Sequence, residues 1–121
     1  MAIDYGKKWI GLAFTDDEHK LAFPYKTLEN NPRFFGALNK IIKDEDIYKI
    51  IIGLPLNKKM KATPQTVEVE NWTKKLISKV EVPIEFENEI LTSRAAMRYQ
   101  VRDLHSAAAA ILLQSYLNKN R

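Results

Sequence analysis

Asp4 ends the apolar run Met1-Ala2-Ile3 and is followed at once by Tyr5-Gly6, with a second glycine at Gly11. A carboxylate at the end of a central strand is costly unless it is paired or binds a metal. Gly6 and Gly11 remove side-chain bulk beside it, so that a phosphate or a nucleic-acid backbone can approach the main chain closely. The pattern predicts a metal site facing a phosphate. A strand-end aspartate capping a turn is the plainer alternative and has equal claim on Asp4 alone. Hydrolysing a phosphodiester in such a site calls for two hard cations roughly 3.5 to 4 Å apart, held by carboxylates that converge from separate elements. Glu89, at the end of the last strand-like run, is the matching candidate, since ligands favour the carboxyl ends of parallel strands. Glu85, Glu87 and Glu89 also alternate along one face, which is the pattern of a solvated strand.

Basic residues form two groups. Arg94, Arg98 and Arg102 recur every four residues and so lie along one side of a helix. Lys58, Lys59 and Lys61 stand in the polar loop after Gly53-Leu54-Pro55. Either group can follow a nucleic-acid backbone, and either can be an ordinary solvated surface. Tyr5 and Trp9 can stack on bases, although strand aromatics are more often core. His19, beside a turn, reads as a surface residue.

The elements that must position these groups follow from periodicity. Met1 to Tyr5, Lys8 to Phe14 and Lys20 to Tyr25 read as strands, the last two separated by the acidic turn Asp16-Asp17-Glu18, which predicts an antiparallel meander. Asn31-Pro32 reads as a helix start, with Phe35, Leu38, Ile41 and Ile42 on one face through Asp44. Ile47 to Ile52 is a β-branched run of the kind buried on both faces of a sheet. Thr63-Pro64 opens a second helix carrying Val69, Trp72 and Leu76, and Val82 to Asn88 returns as a strand. Thr92 to about Arg102 and Leu104 to Leu117 are predicted as two further helices, the last apolar nearly all round and therefore buried against the sheet.

A chain of 121 residues with 45% hydrophobic and 28% charged residues fits a single domain spanning residues 1–121. Without cysteine it has neither disulfides nor thiolate ligands. With no signal-like N-terminus and no apolar run near 20 residues, the expected setting is the cytoplasm, with no membrane partner. A formal charge of +4 favours polyanionic partners.

The order βββαβα, then βα with an extra helix, is the ribonuclease H-like arrangement: a five-stranded mixed α/β sheet, antiparallel meander plus parallel strands, with helices on both faces. Within it, Asp4 to Ala13, Ile52-Gly53-Leu54-Pro55-Leu56-Asn57, Asn88 to Ser93, and Ala107 to Gln114 with Ser115-Tyr116-Leu117 resemble the blocks of the YqgF/RuvX family, in family order. The family is described as Holliday-junction resolvase-like nucleases and pre-16S ribosomal RNA nucleases. The resemblance implies a metal-dependent nuclease using Mg²⁺ or Mn²⁺, with Asp4 and Glu89 as the first two acidic ligands and with Gly6 and Lys8 near the substrate. It implies structured, pre-ribosomal RNA as the substrate and branched DNA as the alternative.

Aligning Ala107 to Gln114 with the family's closing helix puts His105 where the family usually has aspartate, at the helix N-terminus. Histidine there can ligate as a neutral imidazole, which favours transition metals such as Mn²⁺ over Mg²⁺, or can act as acid or base. Asp103 can substitute if the helix starts late. Trp9 stands where the family commonly has arginine, and Asn88-Glu89-Ile90 where it usually reads Asp-Glu-Arg. These departures leave open a nucleic-acid-binding relative with weak or no catalysis. A nucleotide-binding domain of actin-like ancestry is a third reading, against which the chain leaves no room for a second lobe. Symmetric junction cutting asks for a dimer, and with no long apolar heptad the expected state is a monomer or weak homodimer.

Overall fold

The computed structural model describes residues 1–90 and 101–120, and for residues 89, 90, 101 and 102 the backbone alone. The elements are β1 (Ala2–Asp4), β2 (Trp9–Thr15), β3 (Ala22–Glu29), α1 (Phe34–Asp44), β4 (Ile50–Leu56), α2 (Pro64–Lys79), β5 (Ile84–Ile90) and α3 (Val101–Lys119). The strands form one five-stranded sheet in the order β3-β2-β1-β4-β5. β1 runs antiparallel to β2 and parallel to β4, and β4 runs parallel to β5. This is the mixed ribonuclease H-like sheet.

Alternation along the strands builds a core on each face. Ile3, Ile10, Leu12, Ile50 and Ile52 point to the side covered by Phe34 and Leu38 of α1 and by Val69, Trp72 and Leu76 of α2. Ala2, Ala13 and Ile51 point to the other side, against Ala109, Ala110, Leu112 and Leu113 of α3. Alanines on both surfaces let this helix lie close to the strands. Helix α2 starts as its sequence requires. Thr63 and Thr66 cap it reciprocally, with Pro64 in the first turn, and the Thr66 hydroxyl donates to the Pro55 carbonyl of β4.

Several boundaries differ from the periodicity. β3 continues to Glu29 because Lys26 to Glu29 pair with Trp9 to Leu12. β4 begins at Ile50 rather than Ile47 and carries Gly53-Leu54-Pro55 within it, since β5 pairs alongside as far as Ile90. Asn31 is not the cap of α1. Its side-chain oxygen accepts from the Arg33 amide at 2.9 Å, making a turn that feeds the helix from Arg33 onward. The helix expected from Thr92 lies outside the described residues up to residue 100. The closing helix is already formed at Val101, where Asp103 sits in the first turn and suits the positive end of the helix dipole. Among the described residues, no helix is long and apolar enough to cross a membrane.

Candidate active site

Asp4 is the last residue of β1 and pairs with Gly11 across the antiparallel ladder. Opposite it, the His105 Nδ1 atom lies 2.7 Å from Asp4 Oδ2. The Asp4 side chain retains 18% exposure and that of His105 29%, so the pair is shielded yet reachable from solvent. A contact this short is in the range of a charge-assisted hydrogen bond, and holding Nδ1 on the carboxylate leaves Nε2 as the ring nitrogen not engaged by Asp4.

The two glycines explain how the histidine gets there. A Cβ on Gly11 would lie 2.0 Å from the carbonyl carbon of His105, 2.1 Å from its oxygen and 2.3 Å from the Ser106 amide nitrogen. Only glycine lets the backbone of α3 rest on β2 at this point. A Cβ on Gly6 would lie 2.6 Å from His105 Cε1, 3.0 Å from Nε2 and 2.4 Å from the Trp9 carbonyl oxygen. The space expected at these glycines for a phosphate is therefore occupied by the histidine, by its backbone over Gly11 and by its ring over Gly6. Asn30, which the sequence did not single out, steadies the loop by donating from Nδ2 to the Gly6 carbonyl at 3.0 Å.

His105 lies in the second turn of α3, not at its start. Asp103 is exposed and, two residues away on a helix, faces elsewhere, so it does not take the place of His105. Glu89 stands opposite Pro55 in the β4–β5 register, while Ile3, just before Asp4, stands opposite Ile52. Its backbone is thus two strand spacings from β1, roughly 10 Å laterally. The expected wet acidic face of β5 holds for Glu85 and fails at Glu87. Glu87 is 8% exposed, pairs with Lys119 at 2.9 Å and accepts from Ser115, both on α3.

The basic candidates divide. The β4–α2 loop follows the same carboxyl end of the sheet as Asp4, and Asn57 orders it: its side-chain oxygen accepts from the amides of Lys59 at 2.9 Å and Lys61 at 3.0 Å. Lys58 and Lys59 are exposed on that ordered turn. Lys8 is also exposed, with its ammonium 5.6 Å from the centre of the Trp9 ring. Arg94 and Arg98 lie outside the described residues, and of Arg102 only the helical backbone is described. Tyr5 packs against Trp72 at 4.9 Å between ring centres, as a core-edge aromatic. Its hydroxyl is pushed above the usual tyrosine range, first by burial and then by the Glu68 carboxylate.

The donor set, tested against a divalent cation, fits one of borderline softness. Asp4 offers a carboxylate oxygen and His105 an imidazole nitrogen, on two rigid elements, a combination that suits Mn²⁺ or Zn²⁺ better than Mg²⁺. Among the described residues no cluster of three or more such ligands occurs. Comparison with known proteins matches the sequence to a family. The RuvX family model, described as Holliday junction resolvase, covers residues 1–119. A protein of Maridesulfovibrio salexigens named "Putative pre-16S rRNA nuclease" is 36% identical, with 97% of this chain and 96% of the relative covered. Proteins of the same name from Mycoplasma mobile and Roseiflexus sp. are 33% and 32% identical, covering 98% and 100% of this chain and 90% and 94% of those relatives. With its fold, its four sequence blocks and nearly its whole length accounted for, the chain belongs to the RuvX family.

Proposed function

We propose that the chain is a metal-dependent nuclease that hydrolyses phosphodiester bonds in structured RNA, acting at the 5′ end of precursor 16S ribosomal RNA. The observation that carries this reading is the Asp4–His105 pair, 2.7 Å apart at the carboxyl end of β1 in a RuvX chain. Asp4, His105 and Glu89 are the residues that would hold a divalent cation, which when bound would stabilise charge on the phosphate and acidify water. The chain's own groups supply the rest. His105 turns its Nδ1 atom to the Asp4 carboxylate, so a cation shared by the two would take that nitrogen in place of the hydrogen bond, while Nε2, on the far side of the ring, would be the atom able to take up a proton. Lys8, Lys58 and Lys59, on the same end of the sheet, would hold the nucleic-acid backbone. Arg94, Arg98 and Arg102 belong to this reading through their spacing in the sequence.

The engagement of an Asp4 oxygen by His105, a histidine that the resemblance puts where the family usually has aspartate, favours one second reading: a nucleic-acid-binding relative of weak catalysis. One experiment separates the two. Purified protein is incubated with end-labelled precursor 16S RNA and with four-way DNA, in Mn²⁺ and in Mg²⁺, beside Asp4→Asn. The nuclease reading expects RNA cleavage, stronger in Mn²⁺, that falls at least about 100-fold in the variant. Binding without cleavage in either metal would refute it in favour of the second, and preference for four-way DNA would reassign the substrate to junctions.

A further inference from the structure

The far end of the strands carries a second concavity, unrelated to Asp4 and His105. A cleft of about 360 Å³ opens between the β2–β3 turn, the α1–β4 connection and the C-terminal half of α3. Its floor is apolar, with Phe14, Ile51 and Leu113, and one wall is aromatic. There the Tyr48 hydroxyl meets His19 Nδ1 at 3.1 Å and the two rings lie 5.5 Å apart. Asp17, Glu45 and Asp46 also line it, and among the described residues none of the three is in an ion pair.

The cations that line the cleft are spoken for or weakened. Lys49 is bonded to Glu85 at 3.0 Å and to Tyr116 at 3.1 Å. The Met1 amino group donates to the Lys49 carbonyl, and burial lowers its pKa to about 6, so at neutral pH it is mostly uncharged. Glu45 is moreover the C-cap of α1, where the helix dipole adds negative potential. In a chain of net charge +4 this end is locally negative, while Lys8, Lys58 and Lys59 gather at the other.

The surroundings indicate what the cleft receives. Phe14 stacks on Tyr25 at 4.1 Å and pairs with Phe23 across the ladder. Phe23 is 50% exposed, Leu21 53% and Tyr48 63%, so exposed apolar surface continues outward from the cleft. Such surface beside polar groups marks a protein contact, and β3 is an edge strand to which an extended segment can add. A planar guanidinium satisfies both requirements of the interior, forked hydrogen bonds to carboxylates and stacking on an aromatic face.

We propose that this cleft is a docking site for an arginine side chain presented by an extended segment of a partner protein, paired with the rim carboxylates and stacked on Tyr48. The site shares no residue with the nuclease reading and is tested apart from it.

The test is fluorescence anisotropy of the full chain with a labelled hexa-arginine peptide. Asp17→Asn with Asp46→Asn is compared with Glu70→Gln plus Glu81→Gln, which removes the same charge from exposed positions elsewhere. The first pair should weaken binding at least about tenfold and the control pair less than about twofold, while Tyr48→Ala alone weakens it several-fold. All four acidic positions and Tyr48 are exposed, and thermal melts verify that the variants remain folded. Equal weakening by the two pairs would reduce the effect to diffuse charge and overturn the proposal, as would no weakening by either. Displacement of the peptide by spermidine, with Tyr48→Ala without effect, would assign the cleft to a small polyamine and equally overturn it.

Discussion

Gly11→Ala should disable the site with little loss of fold, and the structure sets the size of both effects. The new Cβ would stand 2.0 Å from a backbone carbon of α3, against the 3.4 Å at which ordinary contact begins. Helix and strand must therefore separate by about 1.4 Å, since the obstructing atoms are main chain and cannot rotate away. Overpacking of this kind costs about 1–3 kcal/mol. For a domain of this size that lowers the melting temperature by roughly 4–12 °C, leaving the protein folded at 25 °C. The same displacement would stretch the 2.7 Å Asp4–His105 contact beyond hydrogen-bond reach. Misplacement of a catalytic group by about 1 Å can cost 10²-fold in rate. Calorimetry, cleavage of labelled RNA and the ¹H–¹⁵N spectrum of the His105 ring measure the three consequences. Gly36→Ala is the internal control, because nothing lies within 4 Å of a Cβ there and alanine in a helix should stabilise by about 0.5–1 kcal/mol. A Gly11→Ala protein with unchanged melting temperature, cleavage and histidine spectrum would refute the close approach of α3 to β2.

Three other outcomes follow from the same geometry. His105→Asp should exchange an imidazole for a carboxylate and move metal preference toward Mg²⁺, raising the Mg²⁺-to-Mn²⁺ ratio of both cleavage and thermal stabilisation by about tenfold; an unchanged ratio would remove His105 from the ligand set. Lys58→Ala with Lys59→Ala should weaken RNA binding and flatten the dependence of log affinity on log salt by about 1.4, roughly 0.7 for each single-strand phosphate that is no longer neutralised. The Thr27 hydroxyl is buried, with no hydrogen-bond partner among the described residues, so Thr27→Val should raise stability by about 0.5–1.5 kcal/mol, read as a shifted urea midpoint at constant slope.

The strands and their chemistry were legible in different degrees. Ile50 to Ile52 announces a strand buried on both faces, and Thr63-Pro64 announces a helix start, because each signal is local and the physical cause lies within a few residues. The ends of β3 and β4 were not legible, since Lys26 to Glu29 and Gly53 to Leu56 become strand only through partners far away in the chain. The site divides in the same way. Asp4 stands out because a carboxylate in an apolar strand is anomalous without any knowledge of its neighbours. Glu87 did not stand out, because the alternating acids of β5 look solvated until Lys119 and Ser115 are brought over from α3. His105 could be lined up with a family position, yet its bond to Asp4 spans 101 residues and depends on Gly6 and Gly11 having no side chains. Those glycines were recognised as space, and a gap in one element does not say which element fills it. The docking of α3 is what converts two glycines, an aspartate and a histidine from separate anomalies into one site, so a substitution at Gly11 tests the packing of the fold and the chemistry of the site together.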